Sequence, residues 1–190
     1  NNPYLTMDKK SEASIIRALG KVIKNGHLVK GYKPVYWSVV GASAVAETEV
    51  EYQDKTSFSI DVAYPVTDSK QLDKLSIAFG GVPGEGEINV LIWTTTPWTI
   101  PSSQAISMGA ELEYSLVQCA TASGSMRLIC SQLLLESVME RLEIADYKVL
   151  ASCQGEALEN LVADHPFYDR KISVLLGDHV TTEAGTGCVH

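Results

Sequence analysis

The sequence predicts a mixed α/β fold with a mostly antiparallel, barrel-like β core and peripheral helices. Short runs rich in β-branched and aromatic residues outnumber stretches of helical periodicity, and their connections are of hairpin length more often than of crossover length. A chain of 190 residues with 45% hydrophobic and 20% charged content also suffices to bury one good core.

The elements follow in order. Ser11 to Asn25 places Ile15, Ile16, Leu19, Val22 and Ile23 on one helical face, and Gly26 stops the helix. Lys21, Lys24, Lys30 and Lys33 form a modest basic cluster that, without a basic stripe, is a solvated surface. Strands are predicted at Val35 to Trp37, Glu47 to Tyr52, Ser57 to Tyr64, Lys74 to Phe79 and Ile88 to Trp93. Between the last two, Gly80 to Glu87 is a turn. A phosphate-binding loop is rejected there: the segment precedes a strand, lacks the Gly-Lys-Ser/Thr ending and carries two Glu. Further strands are predicted at Ala105 to Met108, Glu113 to Cys119 and Met126 to Cys130. A helix follows over Ser131 to Leu142, where Leu134, Leu135, Val138, Met139 and Leu142 recur at core spacing. A strand at Tyr147 to Ser152, a short polar helix at Glu156 to Leu161, and strands at Ile172 to Leu176 and Cys188 to His190 complete the chain.

Composition excludes several classes. No apolar run approaches the roughly 18 residues that span a bilayer, and Asn1 to Lys10 has neither the basic nor the apolar block of a signal peptide. A soluble, cytoplasmic protein with no membrane partner is expected. A net charge of −8 opposes purely electrostatic nucleic-acid binding, although contact with a strand's end needs few phosphate neutralisations. Cys119, Cys130, Cys153 and Cys188 show no Cys-x-x-Cys spacing, so free buried thiols are expected, with neither disulfide framework nor metal.

Two segments are hard to explain by packing. In Trp93-Thr94-Thr95-Thr96-Pro97-Trp98-Thr99-Ile100-Pro101 the prolines predict an extended, rigid stretch at a strand end. Alternation puts Thr94 and Thr96 on one face and Thr95 on the other. Their hydroxyls suit a neutral, hydroxyl-rich ligand such as a ribose or an ester, but threonine also simply favours strands. In the second segment, Gly177 to His190, Gly185-Thr186-Gly187 lets backbone approach another surface closely, and strand alternation would project His190 to the side of Cys188. A lone His serves as base, donor or structural residue. Asp178 and His179, as strand neighbours, would face apart. With no Gly-x-Ser-x-Gly elbow and no cysteine in a catalytic setting, water is the expected nucleophile of any hydrolysis.

Trp93 to Thr99, Gly177-Asp178-His179-Val180 and Gly185-Thr186-Gly187-Cys188-Val189-His190, with Lys33 to Trp37 and Glu49 to Tyr52 in the same order, resemble the editing domain of isoleucyl-tRNA synthetase. Valyl and leucyl relatives usually have arginine at the place of Thr96 and lack Trp98. The resemblance implies a valyl/isoleucyl/leucyl editing-domain fold over residues 34–190, with 1–33 leading in from the catalytic body. It implies an activity too: hydrolysis of valine wrongly esterified to the 3′ end of the tRNA for isoleucine. One missing methylene discriminates by only about 1–3 kcal/mol, and this synthetase is the standard illustration of that limit.

The resemblance assigns Thr94, Thr95, Thr96 and His190 to catalysis, and Trp98, Ser103, Gly185, Thr186 and Gly187 to substrate binding. Its implied partners are the valine-bearing end of the tRNA and the rest of the synthetase. The domain itself would need no metal or cofactor, whereas the full-length enzyme uses ATP and Mg. The family's His segment continues to an Asp that holds the substrate ammonium, so the editing domain is expected to be incomplete at His190. An Asn is frequent where Ser103 stands. Many bacterial members also carry cysteines near Ser38 and Gly41. Two other functions are weighed: a non-catalytic fragment binding the tRNA acceptor end, and the editing domain of a valyl or leucyl synthetase. A plain globular β domain with structural Thr and Gly motifs is the third reading.

Overall fold

Asp8 caps the first helix, its carboxylate accepting the Lys10 amide at 3.2 Å, and α1 runs over Lys9–Lys24. In this computed structural model, residues 3–121 and 124–190 are described, and the chain divides into one unit ending at Lys55 and another over Thr56–His190. In the first unit, α1 buries none of its residues, and Ile15, Ile16, Leu19, Val22 and Ile23 are all exposed. A small hairpin follows, β1 (Tyr36–Ser38) paired antiparallel with β2 (Ser43–Val45).

The strand predicted over Glu47 to Tyr52 is absent. Glu49 turns its carboxylate back onto the Ala46 amide at 2.7 Å, which closes a 3-10 turn over Glu47–Glu49.

The second unit carries two sheets. Strands β3 (Ile60–Val66), β4 (Ile88–Thr94), β6 (Glu113–Thr121), β7 (Gly124–Ser131) and β8 (Tyr147–Gln154) form the larger, in the order β3-β4-β7-β6-β8. Strands β5 (Ala105–Met108), β9 (Val162–Asp164), β10 (Lys171–Leu176) and β11 (Cys188–Val189) form the smaller, in the order β11-β5-β10-β9. Among the described residues only β4–β7 and β5–β10 pair in parallel; the other pairings are antiparallel. The expected mostly antiparallel core with peripheral helices is therefore present, but neither sheet closes into a barrel among the described residues.

The larger sheet is buried on both faces, which explains the unbroken apolar run of β4. Val90 and Ile92 join Tyr64, Ile106, Met108 and Val174 in the core shared with the smaller sheet. Leu91, one step out of phase, joins Val117, Leu128 and Cys130 under Leu135, Val138 and Met139 of α3 (Leu135–Arg141). Each such side chain stabilises the fold by roughly 1.5–3 kcal/mol relative to exposure.

Three further expectations need correction. Lys74 to Phe79 is not a strand but the end of a helix, α2 (Ser69–Ala78), because Asp68 accepts the amides of Lys70 and Gln71 and Leu72, Leu75 and Phe79 meet the core at helical spacing. The polar helix predicted over Glu156 to Leu161 is a 3-10 turn over Gly155–Leu158 that gives way to β9. The stretch after Thr96 is not extended: Pro97 starts a 3-10 helix, Pro97–Ser102, since proline is favoured at a first helical position where no amide is needed. The Gly80–Glu87 turn is as expected, and Gly86 is obligatory in it: with φ at 86°, a Cβ would lie 1.9 Å from the Ser125 carbonyl oxygen.

Candidate functional site

Strand β4 ends at Thr94, which is paired with Ile60 of β3 and buried. Beyond it the hydroxyls form a row. Thr94 Oγ1 accepts the Thr96 amide at 3.1 Å and lies 3.1 Å from Thr96 Oγ1, which lies 3.3 Å from Thr99 Oγ1. Thr99 Oγ1 donates to the Thr96 carbonyl at 2.6 Å. The turn into the 3-10 helix creates this row, since an extended chain would carry Thr99 away.

A cavity of about 550 Å³ opens beside the row, lined by Trp93, Thr94, Thr96, Thr99, Ser102, Ser103, Gln104, Ala105, Ser107, Val189 and His190. Among the described residues its lining side chains offer hydroxyls, an amide and an imidazole, and none is a carboxylate, ammonium or guanidinium. Burial lowers the pKa of His190 below its ordinary 6.5, so the ring is neutral at pH 7 and can accept a proton or orient a water. The Ser103 hydroxyl is buried without a hydrogen-bond partner, as is the Tyr64 phenol. Burial raises the Tyr64 pKa; Ser103 is close enough to offset part of that effect, although the two hydroxyls do not reach hydrogen-bond geometry.

A neighbouring cavity of about 340 Å³ shares Trp93, Thr94 and Val189 and is otherwise lined by Thr95, His179, Thr181 and the Glu183 to Cys188 segment. Thr94 and Thr96 thus face the first cavity together and Thr95 the second. The Gly-Thr-Gly loop, which lines the second cavity, is held from behind. Tyr114, fully buried, donates its phenolic proton to the Gly187 carbonyl at 2.6 Å and accepts the Gly109 amide at 2.9 Å. The Ser131 amide donates to the Thr186 carbonyl at 2.8 Å. Gly187 has φ at 75°, and a Cβ there would come within 2.5 Å of Ser131 Cβ.

Arg141 anchors the other end of the loop. It binds Asp61 through two hydrogen bonds, Nε to Oδ2 at 2.8 Å and Nη2 to Oδ1 at 2.7 Å, reaches the Gly185 carbonyl at 3.4 Å and stands 5.8 Å over the Trp93 ring.

Of the residues singled out from the sequence, Thr94, Thr96, Ser103 and His190 meet in the first cavity, and Thr94, Thr95, Gly185, Thr186 and Gly187 in the second. Trp98 lines neither: the turn at Pro97 leaves its side chain 71% exposed, and Trp93 stands where a wall was expected. Cys188 enters the core, and His190 lies past the strand end, so alternation does not carry it to the Cys188 side. Asp178 and His179 lie in turns, not on a strand. Thr99 lay within the segment singled out but had no role assigned; Gln104, Ser107 and the supports Tyr114, Arg141 and Asp61 were not legible beforehand, because strands and helices distant in sequence bring them to the site.

The cysteines are free, three of them buried. Burial pushes the Cys130 thiol up to about 12 and Cys188 well above its ordinary value, so neither supplies a thiolate at neutral pH. Among the described residues no three His, Cys, Asp or Glu side chains gather to hold a metal ion, and no helix is long and apolar enough to cross a membrane.

The fold is one shared with solved editing domains of aminoacyl-tRNA synthetases. The fold is that of the P. knowlesi cytosolic leucyl-tRNA synthetase editing domain (TM-score 0.55, 15% identity, covering 74% of this chain and 60% of that one). It is also that of its P. falciparum counterpart (TM-score 0.51, 14% identity, covering 70% and 61%). The chain belongs to the class I tRNA synthetases of the isoleucine, leucine, methionine and valine group, whose family pattern matches residues 1–165. Its relatives include the isoleucine--tRNA ligases of Teredinibacter turnerae (59% identical over 190 residues) and Saccharophagus degradans (56% over 190 residues). The chain spans about a fifth of their length, 100% of this chain aligning with 20% of each relative.

Proposed function

We propose that the first cavity is the hydrolytic proofreading site of an isoleucyl-tRNA synthetase, which removes valine wrongly esterified to the 3′ end of the tRNA for isoleucine. The observation that carries this reading is the row of Thr94, Thr96 and Thr99 hydroxyls facing a neutral His190 across a cavity with no charged side chain and no activated nucleophile.

The ribose and ester groups of such a substrate are neutral and rich in acceptors, and threonine hydroxyls both give and take hydrogen bonds to them. Water, oriented by His190, attacks the ester carbonyl; the negative charge that develops on its oxygen is met by donors already in place, a hydroxyl of the row among them. The loss of one such donor commonly costs 10²–10³ in rate. The bond to the ribose oxygen then breaks, that oxygen takes a proton, and free valine and intact tRNA leave. Selectivity comes from cavity size, since a wall rejects an extra methylene more sharply than a lost contact penalises a missing one. The remainder of the synthetase supplies the tRNA body contacts, and its aminoacylation site uses ATP and Mg.

The test replaces the matching fifth of the T. turnerae isoleucine--tRNA ligase with this chain and follows deacylation of valyl- and isoleucyl-tRNA(Ile) under multiple turnover. Rapid loss of the valyl ester alone is expected. Equal loss of both, or of neither while the tRNA still binds, would reject proofreading and leave a module that binds the acceptor end.

A further inference from the structure

One wall of the first cavity is the backbone that runs out of the 3-10 helix into β5, and its carbonyls are claimed from outside by the turn joining β9 to β10. His165 is buried, and its Nδ1 lies 3.4 Å and 3.2 Å from the amides of Phe167 and Tyr168. Two amide donors facing Nδ1 make it the acceptor, so the ring proton sits on Nε2. From there it donates to the Ile100 carbonyl at 2.9 Å. Arg170 spreads its guanidinium over two more carbonyls, Nη1 to Ser103 at 2.8 Å and Nη2 to Pro101 at 3.1 Å. The two clamp residues are tied to each other, the His165 amide donating to the Arg170 carbonyl at 2.9 Å, and aromatic rings flank both: Phe167 stands edge-on to the imidazole at 4.6 Å and Tyr168 lies 5.6 Å from the guanidinium.

A helix end leaves last carbonyls without intrahelical partners; here the Ile100 carbonyl accepts the Ser103 amide as well as His165, and those of Pro101 and Ser103 are bound by Arg170. The His165 contact to Ile100 is buried and the Arg170 contact to Ser103 partly so, whereas the one to Pro101 lies at the surface. Side-chain donors placed at them do more than satisfy them: they fix where Ser102, Ser103 and Gln104 stand at the cavity edge. Neither clamp residue lines the cavity.

We infer that His165 and Arg170 are positioning residues that set the size limit of the cavity by holding the backbone of Ile100 to Ser103, and so decide which ester is excluded. This rests on the proofreading reading. A wall free to move by about 1 Å is on the scale at which catalytic geometry changes rate a hundredfold, and it relaxes exclusion of the larger ester before it stops hydrolysis of the smaller one.

The test uses the synthetase carrying this chain, with His165→Ala, His165→Gln, Arg170→Ala and Arg170→Lys. The ratio of valyl to isoleucyl ester hydrolysis is the readout, because partial unfolding lowers both rates alike and leaves the ratio unchanged. His165→Ala and Arg170→Ala are expected to lower the ratio about tenfold, chiefly through faster isoleucyl hydrolysis. Arg170→Lys, a single point donor in place of a fork, lowers it less, and His165→Gln, which restores a donor near Nε2, recovers most of the ratio. Hydrogen exchange at the Ser103 amide, which donates to Ile100 at 2.9 Å, rises in the alanine variants while the β4 amides stay protected. A ratio unchanged in all four variants, with the parent active, overturns the inference alone. A parent that hydrolyses neither ester overturns the proofreading reading, and the inference with it.

Discussion

Arg141 and Asp61 are coupled strongly enough to measure. The two side chains keep 30% and 10% of their surface exposed, so the pair lies between two regimes. Exposed pairs contribute about 0.2–1 kcal/mol, whereas removing one partner of a fully buried pair costs about 3–5 kcal/mol. Two short, parallel, charge-assisted hydrogen bonds and the low exposure of Asp61 place the coupling near the middle, discounted for solvent at the arginine: about 1–2 kcal/mol. Arg141→Ala also forfeits the cation over Trp93 and the contact to the Gly185 carbonyl, so its own cost is larger, about 2–3 kcal/mol. The assay is a double-mutant cycle of Arg141→Ala and Asp61→Ala by urea unfolding. Because the pair is partly shielded, the coupling should survive in 0.5 M salt. A coupling below about 0.3 kcal/mol, or an Arg141→Ala cost within the 0.5 kcal/mol typical of surface changes, would refute its anchoring role.

Gly187→Ala forces a side chain into left-handed backbone and against Ser131; about 1–2 kcal/mol for the conformation and 1–3 kcal/mol for the overlap should appear as a lower urea midpoint. Gly20→Ala, in α1 with nothing within 4 Å of the added methyl, should instead be stabilising by up to about 1 kcal/mol. His190 should titrate below 6.5 by NMR, because burial disfavours its charged form. Since the folded pKa lies under the unfolded one, its contribution to stability is whole above pH 6.5 and is lost as pH falls from there through the folded value. A measured pKa at or above 6.5 would show that the ring is not buried as described.

Local signals carried much of the fold. Ala105 to Met108 is legible because alternating residues follow a proline and pack on one side, and the strand matches its prediction to the residue. α2 was obscured by accident of spacing: Leu75, Ile77 and Phe79 alternate like a strand, yet Ile77 is 84% exposed while Leu75 and Phe79 are buried. What decides is Asp68 at the cap, a signal available in the sequence but outweighed by periodicity. At Pro97 both proline rules hold at once: Thr96 before it stays out of helical backbone as the cap, and Pro97 takes the first helical position, so extension predicted for the whole stretch ends at Thr96. Thr94, Thr96 and His190 could be singled out by composition and resemblance. The groups that hold them in place could not, since Asp61, Tyr114, Arg141 and Arg170 are ordinary residues until the sheets bring them together.

The smaller sheet has a consequence for synthesis on the ribosome. Its strand β5 sits between β10, made later, and β11, made later still, so the cavity wall carrying His190 docks only after Cys188 and Val189 pair with Met108 and Ser107. At about 5–20 residues per second, translation separates Thr94 from His190 by roughly 5–20 s. For that interval the threonine row, its neighbouring strands already able to pair, waits without a histidine opposite. A nascent chain therefore holds one side of the cavity, with no imidazole opposite the threonine row, until a two-residue strand docks.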